Sequence, residues 1–336
     1  MTATHHFTLT ISCPDRSGII APGTRVFSTR ANAFSQDEGS IMSETAASLR
    51  HQIASAGDLE SVVRTMKAMA ASNIGQYENA VRSLGDYDLT VQLGLAACLR
   101  QDQPPAPTPQ SAQHKTGTVG AIVFGSDQGL VGQFNEVMVE FVVKTLASLP
   151  GKKTVWVIGE RIQARLTETG LDLVGGFILP NSISAITPLV GEILIEMEKR
   201  REKGEITQVH LFHNQPKAGA IYMPVNQRLL PLDDVWRRNL ATMHWPTGNL
   251  PEVRGEGAQT LRALVREYLF VSLFRACAES LASENASRLA AMQRAEKNID
   301  ELLEDLNRNF HRLRQSSIDE ELFDVISGFE ALALPQ

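Results

Sequence analysis

The feature that most constrains the fold of this chain is residues 258–327, a stretch of about 70 residues without glycine or proline. Because these two residues are the strongest interruptions of a helix, the stretch predicts one long C-terminal helix. Ordinary globular helices run roughly 8 to 20 residues, whereas this one would reach ~100 Å at 1.5 Å per residue. A helix of that length depends on packing against a partner.

A second long helix is predicted near the other end of the chain, over residues 43–99. Its apolar residues recur mostly at steps of three or four, the spacing of one helical face. Ser43 suits the N-terminal cap, and Gly57, Gly75 and Gly85 weaken the helix by up to ~1 kcal/mol each. The apolar positions are Leu49, Ile53, Leu59, Val62, Val63, Met66, Ala70, Ile74, Tyr77, Val81 and Leu84.

The C-terminal helix carries an apolar stripe that suits this partner. Its members repeat every seven residues, the period of a coiled coil, although Glu296 and Asn309 interrupt the flanking positions. An antiparallel coiled coil is therefore predicted, with a plain helical bundle as the alternative. Leu306→Ala is expected to cost roughly 2–5 kcal/mol if that side chain is buried. The predicted core residues are Val63, Ala70, Met292, Ile299, Leu306 and Leu313.

Between the two helices, strands alternate with helices, which predicts a mostly parallel sheet with helices on its faces. The strand segments are "VGAIVFG", "KTVWVIG", "TQVHLFHNQ" and "RLLPL". The predicted boundaries are 1–41 for a short extension, 42–100 for the first helix, 101–116 for a Pro-rich linker, 117–257 for the α/β zone, and 258–334 for the last helix.

Composition narrows the classes of function. With 43% hydrophobic and 21% charged residues the chain has the proportions of a soluble globular protein. Its net charge of −6 argues against nucleic acid as the main partner, and no apolar run reaches the ~18 residues that a membrane span needs. Cys13, Cys98 and Cys277 lie far apart, which fits a reducing cytosol and predicts neither a disulfide framework nor a zinc site.

The loop "GSDQGLVGQFN" joins the first strand of the α/β zone to its helix. Gly125, Gly129 and Gly132 could form a backbone cradle for an anion at a helix N-terminus. However, the loop matches neither GxxxxGK[ST] nor GxGxxG. A tight turn with Asn135 as a cap is the favoured interpretation, and nucleotide binding is the alternative.

Other signs of chemistry are weak. His210 and His213 are three residues apart in an apparent strand, so they point to opposite faces and would not share a metal ion. No serine stands in a nucleophile-elbow pattern, and no pair of carboxylates stands out in a loop. The sequence therefore predicts no catalytic, cofactor or metal site.

Polar side chains near the C-terminus are more informative. Their clustering within two helical turns predicts either a solvated face or a contact surface for a partner that binds and releases. These residues are Arg312, Arg314, Gln315, Ser317 and Asp319.

Three motifs resemble one known family, the gamma subunit of the F-type rotary ATP synthase. "LRHQIASAGDLESVVRTMKAMAAS" resembles the family's opening helix, "FGSDQGLVGQFN" its SDxGLxGxFN loop, and "LASENASRLAAMQRAEKNIDELLEDLNRNFHRLRQSSIDEEL" its closing helix. The resemblance covers about residues 42–334. It implies an α/β fold plus a long antiparallel α-helical coiled coil, formed by the N- and C-terminal helices around a Rossmann-like domain with a foot.

The resemblance also implies a role. A gamma subunit is the rotor, or central stalk, which stands inside a ring of alternating alpha and beta subunits and rests with epsilon on the membrane c-ring. Ion flow turns it, and its faces drive the catalytic beta subunits through different conformations, so it is not an enzyme by itself. A peripheral protein on the cytoplasmic face of the inner membrane is expected, with no membrane insertion, nucleic acid or cofactor.

Contact residues follow by position. Arg314 and Gln315 match the family's RQ pair, which contacts a beta-subunit loop, and Ser317 and Asp319 belong to the same surface. Asp319 stands where the family usually has threonine, so this contact should differ in detail.

A second group of contact residues is expected beside that one. Arg64, Met66 and Lys67 lie in the region that matches the family's KAM segment. The following "SNIGQYENA" lacks the basic residues that the family has there. Such departures suggest an alternate branch of F-type ATPases, some members of which pump sodium.

Residues 1–41 do not belong to this resemblance. "FTLTISCPDRSGII" resembles the start of an ACT domain as found in formyltetrahydrofolate deformylase, but only about half of such a domain would be present. A gene-start artefact or a remnant fusion before Met42 is the expected explanation.

Two other classes of function stay open at this point. An ACT-regulated or nucleotide-binding α/β enzyme would need catalytic residues in a pocket. A coiled-coil adapter without a rotary role would associate with itself through the heptad stripe. Co-assembly with alpha and beta subunits would separate a rotor subunit from both.

Overall fold

The computed structural model describes residues 45–101, 117–232, 234–246, 251–253 and 257–333. The expected N-terminal extension, 1–41, and nearly all of the expected linker lie outside these residues. The described residues divide into two compact units: 45–67 with 292–333 form the first, and those between 68 and 291 form the second.

Two helices of unusual length run through the described chain, α1 with 56 residues and α6 with 77. The Thr45 hydroxyl accepts a hydrogen bond from the Ser48 N–H at 3.2 Å, so Thr45 caps the described start of α1. The expected cap, Ser43, lies outside the described residues. The helices are α1 (Ala46–Gln101), α2 (Phe134–Ser148), α3 (Glu160–Thr167), α4 (Ile186–Glu202), α5 (Asp234–Ala241) and α6 (Gly257–Ala333).

A five-stranded sheet forms the centre of the second unit, in the order β3-β2-β1-β4-β5. The first four strands pair in parallel, and β5 runs antiparallel to β4 at one edge. The mostly parallel sheet predicted from the sequence is therefore confirmed. The strands are β1 (Val119–Phe124), β2 (Lys153–Ile158), β3 (Asp172–Phe177), β4 (Gln208–Lys217) and β5 (Ala220–Leu230).

Alternation along the strands supplies a core on each face of the sheet. Val119, Ala121 and Val123 of β1 pack with α2 and α3, whereas Ile122 and Phe124 face α4 and the two long helices. All five side chains are fully buried. A strand that is apolar on both faces belongs at the centre of a sheet covered by helices, which is where β1 lies.

In the first unit, α1 and α6 pair in antiparallel directions. The Arg50 guanidinium lies 5.2 Å from the centre of the Phe310 ring, and Lys67 bonds to Glu296. The later residue of α1 thus meets the earlier residue of α6. The fold class predicted from the sequence, an α/β domain with a long antiparallel helical pair, is confirmed.

Burial within this pair follows the seven-residue period only in part. On α1 of the first unit, Leu49, Ala56 and Val63 are buried at intervals of seven. On α6, the predicted core residues Met292 and Ile299 are buried, while Leu306 and Leu313 are half-buried. Val62, which the apolar pattern placed on the packed face, is instead 55% exposed because it lies next to the buried position.

The second unit contains the remaining parts of both helices, again antiparallel. Asn73 contacts Asn285 at 3.4 Å, and Arg275 donates to Asp88 at 2.7 Å. Ala70, Tyr77 and Val91 of α1 are buried in this unit and keep the spacing in multiples of seven. In this unit, α1 and α6 are therefore joined both by polar contacts and by buried apolar residues of α1.

Candidate functional site

The loop after β1 is held by its own side chains rather than left open for a ligand. Asn135 Oδ1 accepts from the Ser126 N–H at 3.0 Å, and Asn135 Nδ2 donates to Ser126 Oγ at 2.8 Å. A Cβ on Gly125 would lie 2.3 Å from an Ile162 methyl group, so glycine is required there for close packing. These contacts favour a structural turn in which Asn135 closes the loop.

A side chain of this loop caps the neighbouring helix α3. Asp127 Oδ1 accepts from the Glu160 N–H at 2.9 Å, at the start of α3. The loop thus supplies a carboxylate to the start of α3, whereas the anion cradle was expected at the start of α2. Nucleotide binding by this loop gains no support from the geometry.

The segment "LASENASR", which begins the closing-helix motif, forms polar contacts within the second unit. Arg288 donates to Glu284 at 2.6 Å, and both side chains are largely buried. Burial raises the pKa of Glu284, although the Arg288 charge and hydrogen bond oppose the shift. Asn285 contacts Asn73 of α1, so this stretch of α6 joins helix to helix within the unit.

The two histidines of β4 have separate partners. His210 Nδ1 lies 3.0 Å from Asn226 Oδ1, and burial lowers the pKa of His210 despite that hydrogen bond. His213 Nε2 lies 2.9 Å from Glu279 Oε2 on α6. Among the described residues, no group of three or more His, Cys, Asp or Glu side chains could hold a metal ion.

Two of the expected contact residues on α1 lie beside Glu296 of α6. Lys67 Nζ lies 2.5 Å from Glu296 Oε2, and Arg64 Nε lies 3.9 Å from Oε1 of the same carboxylate. Arg64 also pairs with Glu60 one turn earlier on α1, and Met66 is half-buried. Lys67 is therefore engaged within the helical pair, while most of the Arg64 side chain remains exposed.

One methionine that the sequence reasoning left out is more prominent. Met69 is the methionine of the KAM segment itself, and it is 61% exposed. The available signal was its position two residues after Lys67, as the last of the three letters KAM.

The expected contact residues of α6 lie further along that helix. Arg314, Gln315, Ser317 and Asp319 are all exposed. Arg314 is 18 positions beyond Glu296, or about 27 Å along the helix at 1.5 Å per residue. The expectation that Arg64 and Lys67 lie beside Arg314 is therefore wrong; the two groups occupy different levels of the first unit.

Large apolar side chains are exposed on the last turns of α6. Ile318 is 54% exposed and Phe323 is 67% exposed. An apolar surface of this kind marks a site of interaction. The sequence signal was the set of apolar residues in the segment "IDEELFDVI". The other exposed members are Leu322, Val325 and Ile326.

None of the described helices is both apolar enough and long enough to span a membrane.

Comparisons with known proteins agree with this arrangement. A family model described as ATP synthase matches residues 45–332. The ATP synthase gamma chain of Polynucleobacter necessarius is 24% identical over 289 residues, which cover 84% of this chain and 98% of the relative. That of Salinibacter ruber is 28% identical over 305 residues, covering 84% and 97%.

A solved structure has the same fold. A chain of the mitochondrial ATP synthase of Euglena gracilis, in a cryo-EM structure of its OSCP, F1 and c-ring parts in rotational state 3, superposes with a TM-score of 0.60. The sequences are 15% identical, and the match covers 87% of this chain and 97% of the other. Since the family match spans both long helices and the sheet between them, this chain belongs to the ATP synthase gamma subunit family.

Proposed function

We propose that this chain is the central-stalk, or rotor, subunit of an F-type ATP synthase. In this role it couples ion flow through the membrane sector to ATP synthesis or hydrolysis by rotating inside a ring of alpha and beta subunits. The subunit is non-catalytic, and the chemistry belongs to its partners. The observation that carries the proposal is the antiparallel pairing of α1 with α6, fixed by Arg50 on Phe310 and by Lys67 on Glu296.

The exposed surfaces of the first unit supply contacts for the ring. Arg314, Gln315, Ser317 and Asp319 present polar groups that form reversible, water-tolerant bonds. Arg64 presents a guanidinium at a second level. Because the polar and apolar patches differ around and along the helices, each orientation of the rotor offers a given beta subunit a different set of contacts, which biases its conformation.

The exposed apolar side chains near the end of α6 would be buried in the assembled complex. Ile318, Leu322 and Phe323 are exposed in the isolated chain, and their burial by the surrounding ring would stabilise the assembly. An apolar bearing also suits rotation, since apolar contacts have no preferred direction.

The remaining assignments follow from likeness to bacterial gamma chains. The foot of the second unit would rest with epsilon on the c-ring, and the protein would lie peripherally on the cytoplasmic face of the inner membrane. The departures at Asp319 and in "SNIGQYENA" support a sodium-type branch. Residues 1–41, which precede the matched range, are proposed to be an ACT-like remnant without a ligand site.

The test is to coexpress the chain with alpha and beta subunits and to purify the complex. One copy per complex is expected, and Arg314→Ala should lower ATP turnover coupled to ion transport while the complex still assembles. Arg308→Ala is the matched control. Arg308 is an exposed arginine on the same helix, and it forms an ion pair with Asp305. A parallel homodimer of the chain, or substrate turnover by the isolated chain, would overturn the proposal.

A further inference from the structure

Three polar side chains on α6 lie four residues apart and face the α/β domain. Glu279, Ser283 and Ser287 are 8%, 0% and 5% exposed. A spacing of four keeps side chains on one face of a helix. This polar stripe, defined as Glu279, Ser283 and Ser287, lies where an amphipathic helix normally carries apolar residues.

Each member of the polar stripe has a partner in the α/β domain. Ser283 Oγ donates to the Asn214 carbonyl oxygen at 3.1 Å, and Ser287 Oγ donates to the Val131 carbonyl oxygen at 2.6 Å. Glu279 Oε2 lies 2.9 Å from the Nε2 atom of a β4 histidine, His213. Three bonds thus connect one helix face to two parts of the domain, strand β4 and the loop after β1.

The acceptors are themselves held in place. Val131 lies between Leu130 and Gly132, whose φ angles of 63° and 60° shape the loop that presents its carbonyl group. Asn214 is fully buried, and its side-chain amide donates to the Phe134 carbonyl oxygen at 3.3 Å. The two serines of the polar stripe therefore donate to carbonyl groups whose positions are fixed by the surrounding structure.

These bonds differ from apolar contacts in more than their contribution to stability. A buried hydrogen bond contributes about 0.5–1.5 kcal/mol net, and removing only the hydroxyl group would leave its carbonyl acceptor without that bond. Direction is what hydrogen bonds add. A side-chain atom roughly 5 Å from the helix axis moves by about 1 Å when the helix turns by about 10°, enough to break a bond whose distance range is a few tenths of an ångström.

We propose that the polar stripe locks the rotational register of α6 against the α/β domain, so that torque passes between them without slip. This inference rests on the proposed rotor function. Ser283 and Ser287 act as positioning residues, because they touch no substrate. The two serines are the better test positions, since Glu279 and His213 also line a cavity of about 250 Å³ and are ionisable.

The test measures torsional stiffness in the complex with alpha and beta subunits. The ring is immobilised, and a rotation probe is attached through Lys203→Cys, an exposed position at the end of α4. Angular variance of the probe is recorded during pauses in ATP-driven rotation. If the three bonds carried the whole restoring force equally, the Ser283→Ala/Ser287→Ala double variant would raise the variance about threefold and each single variant about 1.5-fold. Packing of α6 in the apolar core shares the force, so these factors are upper limits, and the double variant should exceed either single variant.

The same helix provides a matched control. Ser280 is 1% exposed, and its hydroxyl group has no hydrogen-bond partner among the residues that the structure describes. Ser280→Ala therefore removes a buried hydroxyl without removing a bond, and its variance should equal that of the unmodified complex. Should the single and double variants rotate with unmodified variance, the lock is refuted although the rotor function stands. A probe that never rotates on the unmodified complex refutes the rotor function itself.

Discussion

Lys67 and Glu296 form the closest charged contact between α1 and α6 in the first unit. Lys67 Nζ donates to both carboxylate oxygens of Glu296, at 2.7 and 2.5 Å, across 229 positions of sequence. Their side chains are only 32% and 20% exposed. A slip of either helix would leave a partly buried carboxylate unpaired, so the pair specifies the register in which the apolar seam closes.

A double-mutant cycle measures this contact. Lys67→Met and Glu296→Gln should couple by about 1 kcal/mol, at the upper end for exposed pairs because the carboxylate is mostly shielded from water. The measurement is urea unfolding of the chain carrying each single substitution and both together. The matched control is the Lys297–Glu301 pair on the same helix, 3.7 Å apart and well exposed, where coupling should stay below about 0.5 kcal/mol. Equal coupling in both pairs would show that burial adds nothing.

The long helices and the sheet were predictable because their signals are local. The absence of glycine and proline over 258–327 indicates α6 without any tertiary information. Apolar strands separated by helical patterns likewise indicate a parallel sheet. The extent of β5 was missed, because the segment "RLLPL" marks only its end. The structure begins this edge strand at Ala220 and includes Pro224 in it, and edge strands are where a sheet tolerates proline.

Contacts between distant residues were less predictable. Glu296 interrupts the heptad pattern, and its role becomes clear only when Lys67 faces it. In the same way, the sequence does not indicate the hydrogen-bond partners of Ser283 and Ser287, because a serine in a helix can also lie on the solvent-exposed face. Apolar residues on adjacent positions, such as Val62 and Val63, cannot both face one seam, and composition does not say which one does.

Burial differs between two members of the heptad stripe on α6, which predicts different costs of truncation. Ile299 is 2% exposed, so Ile299→Ala should lower the free energy of unfolding by about 2–5 kcal/mol. Leu306 is only half-buried, so Leu306→Ala should cost about 1–2 kcal/mol, less than the sequence pattern suggested. Denaturant unfolding of both variants checks this order. A larger loss at Leu306 would mean that the seam closes more tightly there than at Ile299.

Three glycines inside α1 should be replaceable by alanine with a gain in stability. Apart from the backbone of α1 itself, a Cβ at Gly57, Gly75 or Gly85 would meet no atom of the described residues within 4 Å. Each substitution should therefore add about 0.5–1 kcal/mol through helix propensity. Gly94 is the contrasting position, because its Cβ would lie 3.1 Å from a Leu264 methyl group. Thermal unfolding of the four variants should give three raised midpoints and a smaller or negative change for Gly94→Ala. A uniform gain at all four would contradict the packing at Gly94.

The buried Glu284 predicts a pH dependence with a definite sign. Burial raises its pKa above the usual value of 4.5, against the opposing effect of Arg288. The folded chain therefore binds this proton more tightly than the unfolded chain does. The resulting stabilisation is fully present below about pH 4.5 and is lost as the pH rises through the folded-state pKa.

Glu284→Gln removes this titration and keeps a side chain of the same shape. The free energy of unfolding of the unmodified chain, minus that of the variant, should fall as the pH rises from about 4 to 8, by about 1.4 kcal/mol for each unit of raised pKa. Glu301→Gln, at an exposed site, should give a difference that barely changes over this range. If the Glu284 difference instead grew with pH, the Arg288 charge would outweigh desolvation, and the carboxylate would stabilise the fold in its ionised form.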